Sequence, residues 1–340
     1  MGIDAQSNVY VTGTAGTRKY TAAGALVWAN ISLKGNDLKV LPGGTSYLAS
    51  SNGGDALTIK LDSAGNVLWQ RTYNGPANQS DTATLVEVDS LGFVFVAGYQ
   101  DSTHDGESTN FMLLMYNSTG ALQWGAGYNG ARSKNDLVLG LAVDSLGKPV
   151  VTGWSNVPMF YGDGDISTVK FNRSGVKLWD RTFDGEDGIH DRPSALVIDR
   201  NDNVIVTGSS ESFAKSSDYV TLKYSSSGDP LWGEFFDGGA SSFDQATAIA
   251  VDAQGYIYVT GGCYRQSGIP QDFATLKYSP TGGLVWKKFY DSPFADGDAA
   301  THMTLDRWNS VVVVGESWGA DSQIDISAVK YLQVTDSPTK

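Results

Sequence analysis

Residues 244–290 read DQATAIAVDAQGYIYVTGGCYRQSGIPQDFATLKYSPTGGLVWKKFY, and this stretch decides the fold. It holds four short runs of β-branched, aromatic or alternating apolar residues, each bounded by Asp, Gly, Ser or Pro. Such runs are typical of strands. Two connections, 252–255 and 279–283, carry the turn residues that antiparallel hairpins need. The stretch therefore predicts a four-stranded meander with short turns at one end and long loops at the other.

This unit recurs along the chain. Its marker is a Gly-x-x-x-Trp pair, and the tryptophans are Trp28, Trp69, Trp124, Trp179, Trp232 and Trp286. One copy cannot bury both faces of its sheet, whereas radial stacking of copies covers each sheet with its neighbours. We therefore predict an all-β fold, a β-propeller of seven blades that are four-stranded antiparallel sheets. The predicted second strands end at Gly13, Gly98, Gly153, Gly208, Gly261 and Gly315.

The predicted propeller is one domain, residues 1–332, followed by a C-terminal tail, 333–340. Its repeats span approximately 1–36, 37–80, 81–135, 136–190, 191–243, 244–297 and 298–332. The last repeat has no tryptophan-bearing fourth strand. Either the last blade is incomplete, or the chain is a fragment of a longer protein whose upstream sequence closes the ring.

Composition narrows the classes of partner. The formal net charge is −13, with 37 acidic residues against 24 Lys and Arg. Binding to nucleic acid or to an anionic membrane needs clustered Lys and Arg, so we predict neither. No apolar run reaches the ~20 residues of a membrane-spanning helix, and no signal peptide opens the chain. We expect a monomer or a part of a longer chain, without an intrachain disulfide because Cys263 is the one cysteine.

The repeat resembles a known family. Its motif, Ile257 to Gly261, Asp272 to Tyr278 and Gly282 to Trp286, is similar to the bacterial β-propeller repeat called SBBP. This resemblance covers essentially the whole chain and implies a secreted or cell-surface module. The Gly-x-x-x-Trp element also resembles the tryptophan-docking element of propellers that bind the quinone cofactor PQQ. In that family the resemblance implies a Ca²⁺ site and, in many members, an adjacent-cysteine disulfide, a pattern from which this chain departs.

Aspartates recur where a long loop enters each innermost strand. One interpretation is a ring of carboxylates that holds Ca²⁺, because hard cations prefer oxygen ligands. The other is that each Asp accepts backbone N–H bonds and fixes its own loop. The second is favoured, because a residue needed in every copy usually serves the copy. Ca²⁺ is the one cofactor suggested by this set: Asp81, Asp136, Asp191, Asp244 and Asp298, with Asp37 in the corresponding place of blade two.

A second polar pattern opens the third strands, where an Asp is followed five residues later by a Lys. Blade three has Asn110 and Met115 instead, which indicates that the two charges belong to one polar system. Odd spacing places them on opposite faces of a strand, so each is expected to pair across a neighbouring strand. The pattern comprises Asp55, Asp165, Asp218, Asp272 and Asp325, with Lys60, Lys170, Lys223, Lys277 and Lys330.

Residues that do not recur are the candidates for function. The long loops share one rim of the predicted propeller and carry aromatic and basic residues. Aromatic faces stack on sugar rings while polar neighbours bind the hydroxyls. The alternative is that the aromatic residues fold down and pin the loops. The predicted ligand-binding residues are Tyr99, Trp154, Tyr161, Tyr264, Arg265, Trp318, His190 and Arg192.

These observations predict a non-catalytic binding or display module of a bacterial secreted or surface protein, with a glycan or a protein as ligand. One alternative is a lyase-like enzyme acting on polysaccharides, in which Arg neutralises a uronate and Tyr or His moves the proton. It requires His190 or His302 to share a pocket with Arg192 or Arg265. The other alternative is a pure scaffold. No catalytic residue is assigned, because the three histidines lack metal-site spacing.

Overall fold

The structure is a computed structural model that describes residues 1–101, 109–130, 135–157, 164–213, 216–239, 242–266, 270–292, 297–318 and 324–332. All regular elements of these residues are β-strands, which form seven antiparallel sheets. Six sheets have four strands in chain order, and the last has three. The prediction of an all-β propeller with seven blades is confirmed. In the described ranges no helix is long and apolar enough to cross a membrane.

The strands of the first four blades alternate with the turns that the repeat predicts. They are β1 (Gly2–Ile3), β2 (Val9–Val11), β3 (Thr17–Tyr20), β4 (Leu26–Asn30), β5 (Asp37–Val40), β6 (Ser46–Asn52), β7 (Asp55–Leu61), β8 (Val67–Tyr73), β9 (Asp81–Val88), β10 (Val94–Asp101), β11 (Thr109–Tyr116), β12 (Leu122–Tyr128), β13 (Asn135–Val143), β14 (Pro149–Val157), β15 (Asp165–Phe171) and β16 (Lys177–Phe183).

The last three blades follow the same order. They contain β17 (Asp191–Ile198), β18 (Val204–Ser212), β19 (Ser216–Tyr224), β20 (Pro230–Phe236), β21 (Gln245–Val251), β22 (Ile257–Cys263), β23 (Asp272–Tyr278), β24 (Leu284–Tyr290), β25 (Asp298–Leu305), β26 (Val311–Trp318) and β27 (Ile324–Tyr331).

The chain divides into two compact units, Met1–Asp180 and Arg181–Lys340. In each unit the core lies between the faces of successive sheets. In the second unit, Ile205 and Tyr219 of one blade form a cluster with Val259 and Leu276 of the next blade, and all four are buried. Stacking of sheets thus supplies the buried apolar area that one meander lacks.

The glycine near the end of the second strand is explained by a β-bulge. The first strand of blade five bulges between Pro193 and Ala195, opposite Gly208. A Cβ atom at Gly208 would overlap the carbonyl oxygen of Arg192. The same overlap with the first strand exists at Gly261. A bulge carries one extra residue and brings the backbones close together, so the opposing residue needs to be glycine.

The bulge also corrects the predicted strand ends. The second strands do not stop at the glycine: β10 continues to Asp101, β14 to Val157 and β26 to Trp318. Pairing resumes after the bulge because the first strand has absorbed the extra residue. As a result, several residues expected on loops lie on strands.

Within each unit, repeat tryptophans join successive blades. The Trp69 indole lies against Gly120 of the next blade, and its Nε1 donates a hydrogen bond to the Ser118 carbonyl at 3.2 Å. Trp232 does the same with Gly282 and the Pro280 carbonyl, at 3.1 Å. These glycines have positive φ, so the turn leaves a flat surface for the indole ring.

Four lysines at the recurrent third-strand position pair with the aspartate at the end of the first strand of their own blade, whereas Lys60 donates a hydrogen bond to the Ser118 carbonyl. These ion pairs are Lys19–Asp4 at 3.4 Å, Lys170–Asp144 at 2.8 Å, Lys223–Asp199 at 2.9 Å and Lys330–Asp306 at 2.7 Å. The strand-opening Asp272 binds Arg265 instead. The lysine pairs agree with the expectation that each charge finds its partner beyond a neighbouring strand. That the strand-opening Asp and the Lys form one polar system stays a prediction.

Candidate functional site

The first-strand aspartates bind the backbone of the loop that precedes them. In blades three to seven the carboxylate accepts an N–H from the residue six positions earlier, as in Gly238 to Asp244 at 2.5 Å and Ser292 to Asp298 at 2.6 Å, whereas Asp37 of blade two accepts the Val86 N–H. Asp244 also accepts the N–H of Tyr264 at 2.7 Å. Burial raises the pKa of the Asp244 carboxyl, and the backbone donors oppose that effect. These bonds agree with the loop-fixing interpretation; the corresponding donors to Asp81, Asp136 and Asp191 are Gly75, Gly130 and Gly185.

Two groups of three aspartates in the second unit could hold a hard cation. In each group the oxygen atoms lie within 4.8 Å of one another. The groups are Asp218, Asp237 and Asp244, and Asp272, Asp291 and Asp298. Carboxylate oxygens are the ligands that Ca²⁺ prefers. The calcium interpretation of the first-strand aspartates stays a prediction, now with partners from the preceding blade.

The second of these groups already contains a cation of the chain itself. The Arg265 guanidinium binds Asp272 through Nε and Asp291 through Nη2, the latter at 2.9 Å. It also lies over the Phe289 ring, with its central carbon 5.3 Å from the ring centroid. Arg265 therefore neutralises part of the acidic charge at this point of blade six.

The corresponding place in blade five is a cleft of about 100 Å³. The end of β18, the start of β19, the outer strand β20 and the loop before β17 form its wall. Its lining residues are Glu186, Ser210, Glu211, Ser212, Asp218 and Phe235. Relative to the glycine near the end of its second strand, Ser212 of blade five has the same position as Arg265 of blade six. The smaller side chain leaves open a space that the longer one would fill.

Two hydrogen bonds fix the loop that forms one side of the cleft. The Glu211 backbone N–H donates to the His190 carbonyl at 2.9 Å. The Phe213 N–H donates to the Asp187 carboxylate at 2.8 Å. Because both donors belong to the β18 end of the blade, the loop residues keep a defined position beside the second strand. The cleft is therefore preformed on this side.

The lining combines acceptors with one aromatic face. Glu186, Glu211 and Asp218 supply carboxylate groups, and Phe235 is 51% exposed. The Phe235 ring also lies against Phe183, with centroids 6.1 Å apart. Such a surface can accept hydrogen bonds from hydroxyl or ammonium groups while the apolar face of the ligand rests on the ring.

The predicted ligand-binding residues are placed as follows. Tyr99 and Trp154 lie within strands β10 and β14, and Trp318 ends β26 with 41% of its surface exposed. The Trp154 indole covers Gly164, where a Cβ would overlap it. Trp154 thus packs onto its own blade, as the loop-pinning alternative expects. Tyr161 lies outside the described residues.

The structure brings some of the remaining predicted residues together. The His190 carbonyl accepts a hydrogen bond from the Glu211 N–H, and Arg192 lies nearby, where β17 pairs with β18. The Tyr264 N–H and the Arg265 guanidinium each bind a carboxylate of the aspartate groups described above. None of the predicted side chains is among the described lining of the cleft. A blade-by-blade comparison of Ser212 with Arg265 could have revealed the cleft from the sequence.

No protein-family model and no curated protein matches the chain. Solved structures do match. A protein from Lactobacillus plantarum is 14% identical with a TM-score of 0.59, and the match covers 96% of this chain and 95% of that one. Puromycin hydrolase is 13% identical with a TM-score of 0.57, over 97% of this chain and 51% of that one. Drosophila Plexin A, in complex with Semaphorin 1b, is 10% identical with a TM-score of 0.53, over 97% and 84%.

The chain spans about half the length of puromycin hydrolase and nearly all of the Lactobacillus protein. At these identities the likeness shows the fold alone, because one fold hosts many unrelated functions. The resemblance to the SBBP repeat stays a prediction.

Proposed function

We propose that the chain is a non-catalytic glycan-binding module of a bacterial secreted or cell-surface protein, with its ligand in the blade-five cleft. The observation that carries the proposal is the pairing of acidic acceptors with the exposed Phe235 in one preformed depression. The cleft lies at the long-loop end of the blade, where the aromatic and basic loop residues predict a ligand site. The SBBP-like repeat supports the proposed location.

The charge of the cleft selects among glycans. Glu186, Glu211 and Asp218 repel uronates and attract hydroxyl or amino groups. We therefore favour neutral or amino-substituted sugars. The lyase alternative requires a cationic group that neutralises a uronate, and the described lining has neither Arg nor His. The cleft thus favours binding over uronate chemistry.

The test is a binding assay with neutral, amino-substituted and uronate-containing oligosaccharides. For the best ligand, Phe235→Ala and Glu211→Gln each weaken binding at least about tenfold, the cost of one lost stacking or charge-assisted contact. Trp308→Ala is the matched control, because Trp308 is 64% exposed in the short turn between β25 and β26. Unchanged affinity of both cleft variants, or preference for uronates, contradicts the proposal.

A further inference from the structure

The last blade differs from the others at its outer edge. Strand β27 pairs with β26, and the described residues provide no strand on its other side. In the other six sheets the third strand lies between the second and the fourth. An unpaired edge presents free backbone N–H and C=O groups that can bind another strand.

Two residues of β27 are more exposed than the residues at the same positions in blades five and six. Ile326 is 84% exposed, whereas the corresponding Phe273 of blade six is fully buried. The Lys330 side chain is 45% exposed, against 4% for Lys223 in the same position of blade five. In blade six Phe273 is covered by Tyr290 of its own fourth strand, with ring centroids 5.2 Å apart, and by the face of the following blade. A fourth strand with an aromatic residue at that position would therefore supply part of the cover that Ile326 lacks.

The chain itself defines the strand that fits such an edge. In the other blades whose third-to-fourth-strand register is described, the fourth-strand Trp stands opposite the recurrent third-strand position, as in Lys223 with Trp232 and Lys277 with Trp286. Two residues before the Trp, Leu284 stands opposite Tyr278. Four residues after it, Tyr290 stands opposite Phe273. The pattern is therefore an aliphatic residue, any residue, Trp, any three residues, and an aromatic residue.

A separate observation in the first unit concerns the glycine turns that receive the tryptophans. Gly65, Gly120, Gly175 and Gly282 each have a Trp ring where a Cβ would lie. Gly24 has the same positive φ, and no described atom lies within 4 Å of the corresponding point. Among the turns of this kind whose surroundings the structure describes, Gly24 thus has no tryptophan ring against it. The sequence 333–340, QVTDSPTK, supplies neither the Gly nor the Trp of the pattern.

We propose that β27 binds a strand from another polypeptide segment by β-augmentation, antiparallel, with the incoming Trp opposite Lys330 and the incoming aromatic residue opposite Ile326. Main-chain hydrogen bonds hold the incoming strand, and the side-chain pattern gives the specificity. The inference concerns an edge of blade seven and does not depend on the glycan cleft of blade five.

The test uses the protein with a labelled peptide that copies β24, LVWKKFY, capped at both ends. We expect saturable binding in fluorescence anisotropy and a rise in unfolding temperature, since a ligand of the folded state stabilises it. The peptide LVAKKFY binds at least about tenfold more weakly, because the Trp contributes most of the apolar surface. The variant Ile326→Asp also loses binding, and its unfolding temperature without peptide stays that of the parent because Ile326 is exposed.

Three results overturn the proposal. One is the absence of peptide binding. A second is equal binding of the Ile326→Asp variant, which means that the peptide exchanges with another strand. The third is a homodimer, detected by light scattering, that dissociates in the Ile326→Asp variant while no peptide binds to the parent. That result would make a second copy of the chain the occupant of the edge.

Discussion

At the scale of the residue, the second-strand glycine is a requirement of the backbone. A Cβ at Gly208 would overlap the carbonyl oxygen of Arg192, and neither backbone segment can move without disturbing the bulge. We expect Gly208→Ala to lower the free energy of unfolding by about 1–3 kcal/mol, the usual cost of overpacking. Urea denaturation followed by tryptophan fluorescence measures it.

The chain offers a matched control for this substitution. Gly13 holds the corresponding place in blade one, where the described pairing of β1 with β2 does not extend opposite it and no described atom lies within 4 Å of a Cβ. Gly13→Ala is expected to leave the free energy of unfolding unchanged or to raise it slightly, by less than about 1 kcal/mol. Equal destabilisation by the two substitutions is inconsistent with the bulge as the cause.

The Lys330–Asp306 ion pair makes a prediction about pH. The hydrogen bond from Lys330, together with the backbone N–H groups of Ser310 and Trp308, lowers the pKa of Asp306 from 3.8 to about 2. A depressed carboxyl pKa stabilises the fold above the unfolded-state value and loses that contribution as the pH falls through the folded value. The Asp306 contribution is therefore complete above about pH 4 and declines toward pH 2.

The variant Lys330→Met tests this assignment. It moves the pKa of Asp306 back toward 3.8, because the main cause of its depression is gone. Titration of the Asp306 carboxyl carbon by NMR measures the change. Lys223→Met, which affects Asp199 instead, serves as the control. An Asp306 pKa that is the same in the parent and in Lys330→Met shows that the backbone donors, and not Lys330, set it.

At the scale of the element, each first-strand aspartate holds a loop onto a strand. Asp244 accepts the N–H groups of Gly238 and Tyr264, which belong to two different connections. In Asp244→Ala both donors lose their acceptor, at a cost of about 1–3 kcal/mol for each buried group. Hydrogen exchange should show lost protection of these two amides. The control is Asp237→Ala, which removes an exposed carboxylate and should leave the amides of Gly238 and Tyr264 protected. Protection of these amides that persists in Asp244→Ala contradicts the loop-fixing role.

The elements also show how far the sequence could be interpreted. Seven imperfect copies reveal strands and turns, because an element with an indistinct side-chain pattern in one copy can be recognised from the same positions in another. The bulge opposite Gly208 is invisible in that pattern, since it changes the backbone register and not the residue types. The side-chain pattern therefore predicts loops at Trp154 and Trp318, which lie on strands. The cleft depends on the difference in volume between Ser212 and Arg265, which appears only when blades are compared position by position.

At the scale of the whole molecule, the question is whether the acidic charge serves to bind calcium. The net charge of −13 alone makes the fold sensitive to salt, because screening weakens self-repulsion. The first-strand carboxylates already accept backbone N–H groups, and Arg265 supplies a cation to one aspartate group. We therefore expect the unfolding temperature to rise with NaCl, to rise equally with CaCl₂ at matched ionic strength, and to be unaffected by EGTA.

A specific calcium site filled to a hundred times its Kd would add about 2.7 kcal/mol to the free energy of unfolding. A saturable rise with CaCl₂ that exceeds the MgCl₂ and NaCl controls and is reversed by EGTA would make the aspartates metal ligands, and its loss in Asp237→Asn would place the ion at Asp218, Asp237 and Asp244.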